Sequence, residues 1–458
     1  MSGARWILAI ALLTTDQHAH ARECSEPAPP TSPPVQPEPA NAPTPGPPLP
    51  PGELTPAMSD TEYPALDVSQ ALNDGPDLLG EPPTEYNQQL RVDKVDRRNW
   101  FGITPETDPL GPFMRLTQRL NDKTGLTVGG AYTMLLQQAS GGPGDRTAAA
   151  GDIDLLLSWK REFNQTDYVR VNSSFEYRFQ IGDITPAALG PEIGTLVRTT
   201  NGFNERPPVV KELFYDQMAF DGRLRVIAGR IDPENYVGGH RMQSANTFFL
   251  NRAFSSNPAI AFPSIGIGAG AALKPVDWMY ISAGASDVNA DIKRTGFDTA
   301  FSTGEVFSFA ELGFLNNISG WGSGRQRLSL WHTDASSVIN QPADEGICFT
   351  ADQELGPHAA AFARLAYANG TLTNVRQLYE AGVGFKGVTG IENDYTGLAI
   401  AYAAPPQGRA ETIIEAFQRF QLGLRMELTV GAQLIIHPGN APQAEALGVF
   451  ECRYRISF

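Results

Sequence analysis

Between residues 168 and 181 apolar and polar side chains alternate almost without a break. Val169, Val171, Ser173, Phe175, Tyr177, Phe179 and Ile181 share one parity, and Arg170, Asn172, Ser174, Glu176, Arg178 and Gln180 share the other. A strand turns successive side chains to opposite faces, so this pattern predicts one oily face and one charged face. The run is long for a soluble strand, whose usual length is ~5–6 residues. The final stretch, 450–458, repeats the rhythm. Phe450, Cys452, Tyr454, Ile456 and Phe458 stand against Glu451, Arg453, Arg455 and Ser457. A sandwich strand shows the same split. Full charges on the polar face and an aromatic end favour a transmembrane β-barrel, with apolar residues toward lipid and polar ones toward a wet lumen.

Similar segments follow one another from Trp100 onward, separated by Gly, Pro, Asn and Asp clusters. Besides 168–181 and 450–458, strands are predicted over 124–137, 152–163, 210–220, 223–231, 265–273, 278–285, 306–314 and 325–333. Five more are predicted over 359–368, 379–388, 396–403, 412–422 and 425–437. Several registers are ambiguous by one residue, which would exchange the two faces. The 359 residues from Trp100 to the end allow about 22 for each of 16 strands, enough for a ~10-residue strand and a turn. The fold class expected is all-β: a transmembrane antiparallel β-barrel of about 16 strands. The irregular stretches 183–208, 232–262, 287–303 and 334–356 are expected as surface loops or lumen plugs.

Composition sharpens this picture at the N-terminus. Arg5, the apolar run 6–13 and the Ala19-His20-Ala21 site resemble an export signal over 1–21. The run is too short for a membrane helix, which needs ~20 residues. Cys24 lacks the residues that precede a lipidated cysteine. Residues 27–51 hold 13 prolines in 25 positions, which excludes helix and sheet and favours extended polyproline II. The region 22–99 is expected to be a mostly disordered Pro-rich, acidic periplasmic extension, and 100–458 the barrel. The stretch 27–51 reads as a spacer, with contact to the cell wall as the sharper alternative. A net charge of −15 argues against nucleic acid, which needs a basic footprint. Cys24, Cys348 and Cys452 make no metal spacing and no disulfide framework.

Catalytic chemistry has little to stand on. Gly266, Gly268 and Gly270 lack the spacing of a dinucleotide loop, and a barrel strand explains them better. Nucleophile-elbow, zinc-protease and phosphate-loop motifs are absent. His332 or His437 with a loop serine is the remaining hydrolase arrangement. No enzyme activity, cofactor or metal is expected.

The order of segments over 100–458 resembles the carbohydrate-selective porin family of Gram-negative outer membranes, the OprB type. Leu-Arg-Val-Ile-Ala-Gly-Arg-Ile-Asp-Pro-Glu-Asn-Tyr-Val at 224–237 is similar to that family's strand ending in Gly-Lys-x-Asp-Pro. Phe-Leu-Asn-Arg-Ala-Phe-Ser-Ser-Asn-Pro-Ala-Ile-Ala-Phe-Pro at 249–263 resembles its Asn-Pro loop. Residues 384–402 resemble a strand pair split by an Asp before a Gly. Residues 418–439 resemble the penultimate strand, with Gln433 ahead of His437, Pro438 and Gly439. Departures are the proline-rich extension, Arg230 where Lys is common, and Gly431 in place of a frequent Pro.

The resemblance implies a 16-strand barrel with a narrow constriction, working as a monomer in passive uptake of sugars. The strand ending in Phe458 resembles the signal read by the outer-membrane barrel-assembly machinery. A sugar carries hydroxyls and no charge, so its path needs paired donors and acceptors, with aromatic faces for stacking, and weak binding. From the alternation, the pore-lining candidates are Arg170, Glu176, Arg178, Gln180, Glu427, Gln433, Glu451, Arg453 and Arg455. Charged side chains that only keep a wide lumen wet would show the same parity. Arg241, Arg252 and Asp232 are weaker loop candidates. A porin for other small solutes, and a plugged barrel tethered to the cell wall, remain the alternatives.

Overall fold

The computed structural model describes residues 86–294, 296–297, 299–300 and 303–458. The export signal at 1–21, Cys24, and the proline-rich stretch 27–51 lie outside the described residues. Among the described residues, sixteen strands form one closed antiparallel barrel. They are β1 (Leu126–Ala139), β2 (Thr147–Glu162), β3 (Tyr168–Gln180), β4 (Arg206–Ala219), β5 (Leu224–Ile231), β6 (Gly266–Val276), β7 (Met279–Asp287) and β8 (Val306–Ile318). They continue as β9 (Gly322–Thr333), β10 (Asp344–Glu354), β11 (Ala359–Ala368), β12 (Gln377–Lys386), β13 (Tyr395–Ala404), β14 (Glu411–Gln421), β15 (Met426–Ile436) and β16 (Ala446–Ser457). Each pairs with its sequence neighbours. β16 closes on β1, from Ser457 opposite Ala131 to Val449 opposite Ala139. That seam excludes a sandwich of two stacked sheets.

The two-residue rhythm is the wall. On β3, Asn172, Ser174 and Glu176 are buried inside, while Val171, Phe175 and Tyr177 are exposed outside. On β16, Glu451, Arg453 and Arg455 are inside and Phe450 is outside. β10 lies within the stretch 334–356, which the sequence reading left irregular. Its inward Cys348 sits between outward Ile347 and Phe349. Locally that reads as a short apolar run rather than an alternation.

Short turns gather at the end of the barrel that holds the start of β1 and the end of β16. Residues 277–278, 220–223 and 319–321 suffice there. In such barrels this is the periplasmic end. The longest connections, 181–205 and 232–265, leave the other end and turn back into the lumen. They carry α3 (Pro186–Ile193) and α4 (Arg252–Ser255), which follow α1 (Tyr86–Asp93) and α2 (Gly111–Thr124) in the chain. All residues of 235–245 and 253–260 are buried.

The lumen is therefore wet only in part. The 232–265 segment packs on inward aromatic rings of β11, β13 and β14. Phe249 meets Phe417 at 4.9 Å and Phe248 meets Tyr395 at 5.2 Å. His240 stacks on Phe362 at 3.8 Å. Burial holds His240 well below the usual imidazole range, hence neutral. Its Nε2–H then donates to the Phe254 carbonyl at 2.9 Å, and its Nδ1 accepts from the Met242 N–H at 3.2 Å. The wall makes room for the rings with glycine. A Cβ on Gly382 would collide with the Phe362 ring, and one on Gly397 with the Phe417 ring. The wet lumen expected from the alternation is therefore found on one side only, and the other is a core of packed rings.

The N-terminal boundary also moves. The expected disorder of 22–99 does not extend through 86–99. There α1 (Tyr86–Asp93) enters the periplasmic end of the lumen. Leu90 lies on Gly129 of β1, where a Cβ would come within 2.6 Å of it. Asp93 accepts from Arg455 at 2.5 Å, and Arg97 pairs with Glu427. These partners lie more than 300 residues away, so the local polar composition gives no sign of them. After it comes α2 (Gly111–Thr124), opened by Pro112 and closed by Gly125. Gly125 is left-handed at φ 74° and its N–H donates to the Asn121 carbonyl at 2.7 Å.

Two substitutions separate the faces. Leu155, outward near the middle of β2, should lose ~2–4 kcal/mol as Leu155→Arg. Phe249→Ala should cost ~3–5 kcal/mol by emptying the dry core. Urea unfolding of the protein folded into lipid vesicles measures both, and equal tolerance of Leu155→Arg and Leu155→Ala would reverse the face assignment.

Candidate functional site

The wet side is built by β2 to β4 and the two inserted connections. β2 carries Asp152 and Asp154 on one face, and β3 carries Arg178 and Glu176 directly opposite them. Register shifts between β3 and β4 then bring Arg206 beside Arg178. Each nitrogen of the Arg178 guanidinium has a partner. It donates to Asp152 at 3.0 Å, to Glu176 at 2.8 Å and to Asn204 Oδ1 at 3.0 Å. Glu176 also receives Arg206, and Lys211 lies 3.4 Å from it. Gly202, at φ 99°, lets the 200–204 turn pass close: a Cβ there would stand 3.3 Å from the Arg178 nitrogens.

Beside this network is a cavity of about 250 Å³. Its polar lining includes Arg178, Arg206, Lys211, Asn204, Asp232 and Glu234. Gln89 of α1 reaches its edge. Burial raises the Asp232 and Glu234 carboxyls above their ordinary range, with Lys211 pulling Asp232 down and Arg252 pulling Glu234 down. None of the described residues lining the cavity is aromatic, so the expected stacking faces are missing here. The rings are used in the dry core instead. What the cavity offers is charge of both signs and amides, held rigid by mutual pairing. Such a wall can trade hydrogen bonds with a neutral polyol without holding it tightly. Carboxylate oxygens of Asp152, Asp154 and Glu176 converge within 4.8 Å. Arg178, Arg206 and Lys211 already supply the positive charge that a cation would bring.

The nine candidates from the alternation separate into three groups. Glu176 and Arg178 form the polar network, with Arg178 on the cavity. Arg170 lies toward the periplasmic end, 3.7 Å from Asp216 and 3.9 Å over the Tyr168 ring. The other candidates do not line this cavity. Gln180 ends β3, exposed, and its amide donates to the Gly182 and Asp183 carbonyls at 2.8 and 2.9 Å. Of the remaining five, four are clamps on inserted chain, and Glu451 accepts from Gln433 and Gln137 of the wall. Glu427 and Arg455 hold the segment around α1. Gln433 donates to the Thr199 carbonyl at 2.8 Å and to Glu451 at 2.7 Å. Arg453 donates to the carbonyls of Ala245 at 2.7 Å and Phe248 at 2.9 Å. Parity reports direction, not what stands opposite.

Several residues of the site escaped the sequence reading. Asp154 was on the correct parity but was not singled out. Arg206 precedes Pro207 and Pro208, which make the start of β4 read as a turn, and Lys211 stands within the predicted strand 210–220 but is not among its candidates. Asn204 and Glu234 lie in connections with no periodicity. Asp232 lines the cavity, whereas Arg241 donates to Asp352 at 2.9 Å and Arg252 opens α4.

The sequence profile described as carbohydrate-selective porin, OprB family, matches residues 127–458. The chain belongs to that family. This porin is thus a passive channel for small sugars, and family and barrel together indicate the outer membrane. No curated protein matches the chain. Among solved structures, the high-pH structure of Pseudomonas putida OprB superposes with a TM-score of 0.64 at 15% identity, covering 79% of this chain and 99% of that one. The low-pH structure of the same protein gives 0.46 at 14% identity over the same shares. An engineered Rh. blastica porin gives 0.46 at 10% identity, covering 73% of this chain and all of that one. The first superposition supports the fold; the other two are too loose to build on.

Glu176→Gln should leave Arg178, Arg206 and Lys211 with less negative charge to balance them. The reversal potential across a planar bilayer in a KCl gradient should move toward that of chloride. An unchanged potential would mean that permeating ions do not sense this network.

Proposed function

We propose that sugars cross this porin through the polar chamber between β2–β4 and the inserted connections. Arg178, Arg206, Lys211, Asn204, Asp232 and Glu234 are the groups that exchange hydrogen bonds with the passing hydroxyls. The carrying observation is the contrast within one lumen: a paired, charged cavity on one side and a ring-packed core on the other. Neutral solutes rich in hydroxyls suit such a wall, because it offers donors and acceptors together while its charges are spent on each other. Liposomes carrying the protein should swell faster in monosaccharides than in amino acids of equal size. Arg178→Ala should change that ratio while the barrel remains folded. Equal swelling in both solutes would turn the reading to a porin for other small solutes.

The segment around α1 narrows the periplasmic exit in this reading. Asp93→Ala combined with Arg97→Ala releases both of its clamps, to Arg455 and Glu427. Single-channel conductance should rise. No conductance steps in either protein would favour the second reading, a plugged barrel with a structural role, which the amount of buried chain in the lumen supports.

Export by 1–21, recognition of the β16 strand and Phe458 by the barrel-assembly machinery, and action as a monomer belong to the same proposal. Exposed apolar residues from Ile153 through Leu273, Leu328 and Leu398 to Phe450 support a barrel surrounded by lipid. Residues 27–51 serve as a periplasmic spacer, with the cell wall as the partner to test.

A further inference from the structure

Residues 100–124 follow the periplasmic rim from the end of β14 past β16 to β2, with Asp108 turned in to accept from Arg425 at 2.7 Å. At one end the Trp100 N–H donates to the Gln421 carbonyl at 2.9 Å, and its ring meets the outward Phe420 edge-on at 6.4 Å. In the middle Phe113 of α2 packs edge-on against Phe458 at 5.6 Å. At the far end the outward Trp159 of β2 donates its indole N–H to the Thr124 carbonyl at 3.0 Å. The segment is therefore a collar that continues the lipid-facing surface of the wall.

The collar is oily where nothing in the chain covers it. Phe101 and Leu116 are each 62% exposed, and Trp100, Phe113 and Leu120 are exposed with them. On α2 the positions 113, 116 and 120 follow the helical repeat and form one strip. Thr117, buried, and half-buried Met114 and Asn121 face the barrel instead. Arg115, Arg119 and Lys123 are exposed on the flank of the strip, with Asp122 the one acid among them, held by Gln118 at 2.8 Å. Apolar residues on one side and bases on the other suit a helix lying in the plane of a membrane interface. Aromatic girdles mark that level on a barrel, and Trp159 and Trp100 lie there.

We propose that the collar embeds in the periplasmic leaflet, with Phe113, Leu116 and Leu120 among the acyl chains and Arg115, Arg119 and Lys123 on anionic phospholipid headgroups. The occupant is lipid rather than a second copy because the strip is continuous with the lipid-facing wall and the bases match phosphate. The inference rests on the barrel spanning a membrane and is independent of what the pore conducts. It gives α2 a task that the wall itself cannot do. The helix seals the rim beside the β1–β16 seam, where the last strand must close on the first.

The test is a spin label at Leu116→Cys on the full chain, with Cys24 and Cys452 replaced by Ser, in nanodiscs. The slower, heat-sensitive gel migration of a folded barrel is checked first. Oxygen should relax the label and a water-soluble nickel complex should not, placing it ~5–10 Å below the headgroups. Strong relaxation by nickel would mean that the strip lies in water and would overturn the proposal. Protection from both reagents would mean a protein partner and would overturn it too. In a second arm, phosphatidylglycerol discs should draw the label deeper than phosphatidylcholine discs, and Arg115→Gln, Arg119→Gln and Lys123→Gln together should abolish that difference. No difference between the two lipids would overturn the headgroup assignment. A failure of the sugar-swelling ratio would leave all of these outcomes unchanged.

Discussion

Hydrocarbon offers no partner to a backbone N–H or C=O, so a sheet that crosses a bilayer must have no open edge. Everything else in this molecule depends on that closure. β16 supplies it by pairing with β1 along its length, and Phe458 extends the pairing: its N–H donates to the Gly130 carbonyl and its carbonyl accepts from Gly130, each at 2.8 Å. Gly130 has no side chain, and the Phe458 ring takes the space, 2.7 Å from where a Cβ would be. With the ladder closed, each strand has one face for lipid and one for the interior, and the two-residue alternation follows.

A closed wall of this width leaves a lumen that side chains alone do not fill. The protein folds its own chain into it, and that creates a second problem. Loop backbone inside a barrel carries polar groups that must find partners. The inward charges of β14–β16 meet that need. Glu415 accepts from the backbone N–H groups of Leu250 and Asn251, Glu411 from Leu196 and Val197, and Arg453 donates to two carbonyls of the 245–248 turn. The aromatic rings of β11, β13 and β14 cover the apolar part of the same loop. Charge that would hold water in an empty barrel here holds chain. Where the acids and bases of β2–β4 pair among themselves, a polar cavity remains.

The wall was legible in the sequence because its information is local. Phe175 beside Glu176, or Phe450 beside Glu451, declares its face by its parity alone. β10 was missed where parity failed, since an inward cysteine between Ile347 and Phe349 looks apolar on both faces. The helix α2 is written locally in Pro112, the 113–116–120 spacing and Gly125, but its strip is short and runs directly into the alternation of β1. The chamber was half legible. Glu176 and Arg178 lie on a clean alternation, whereas Asp232, Glu234 and Asn204 lie in segments whose spacing carries no period.

The chain alone therefore determined that there is a barrel and, where the alternation is clean, which side chains look inward. Those follow from periodicity, and periodicity is written in neighbouring residues. Tertiary structure decided which inward side chains face an open path and which grip inserted chain. Arg178 and Arg453 have the same parity and the same chemistry. One lines a cavity and the other is covered by the 245–248 turn. What separates them is the return path of a connection that begins over 200 residues away, and no local pattern records that path.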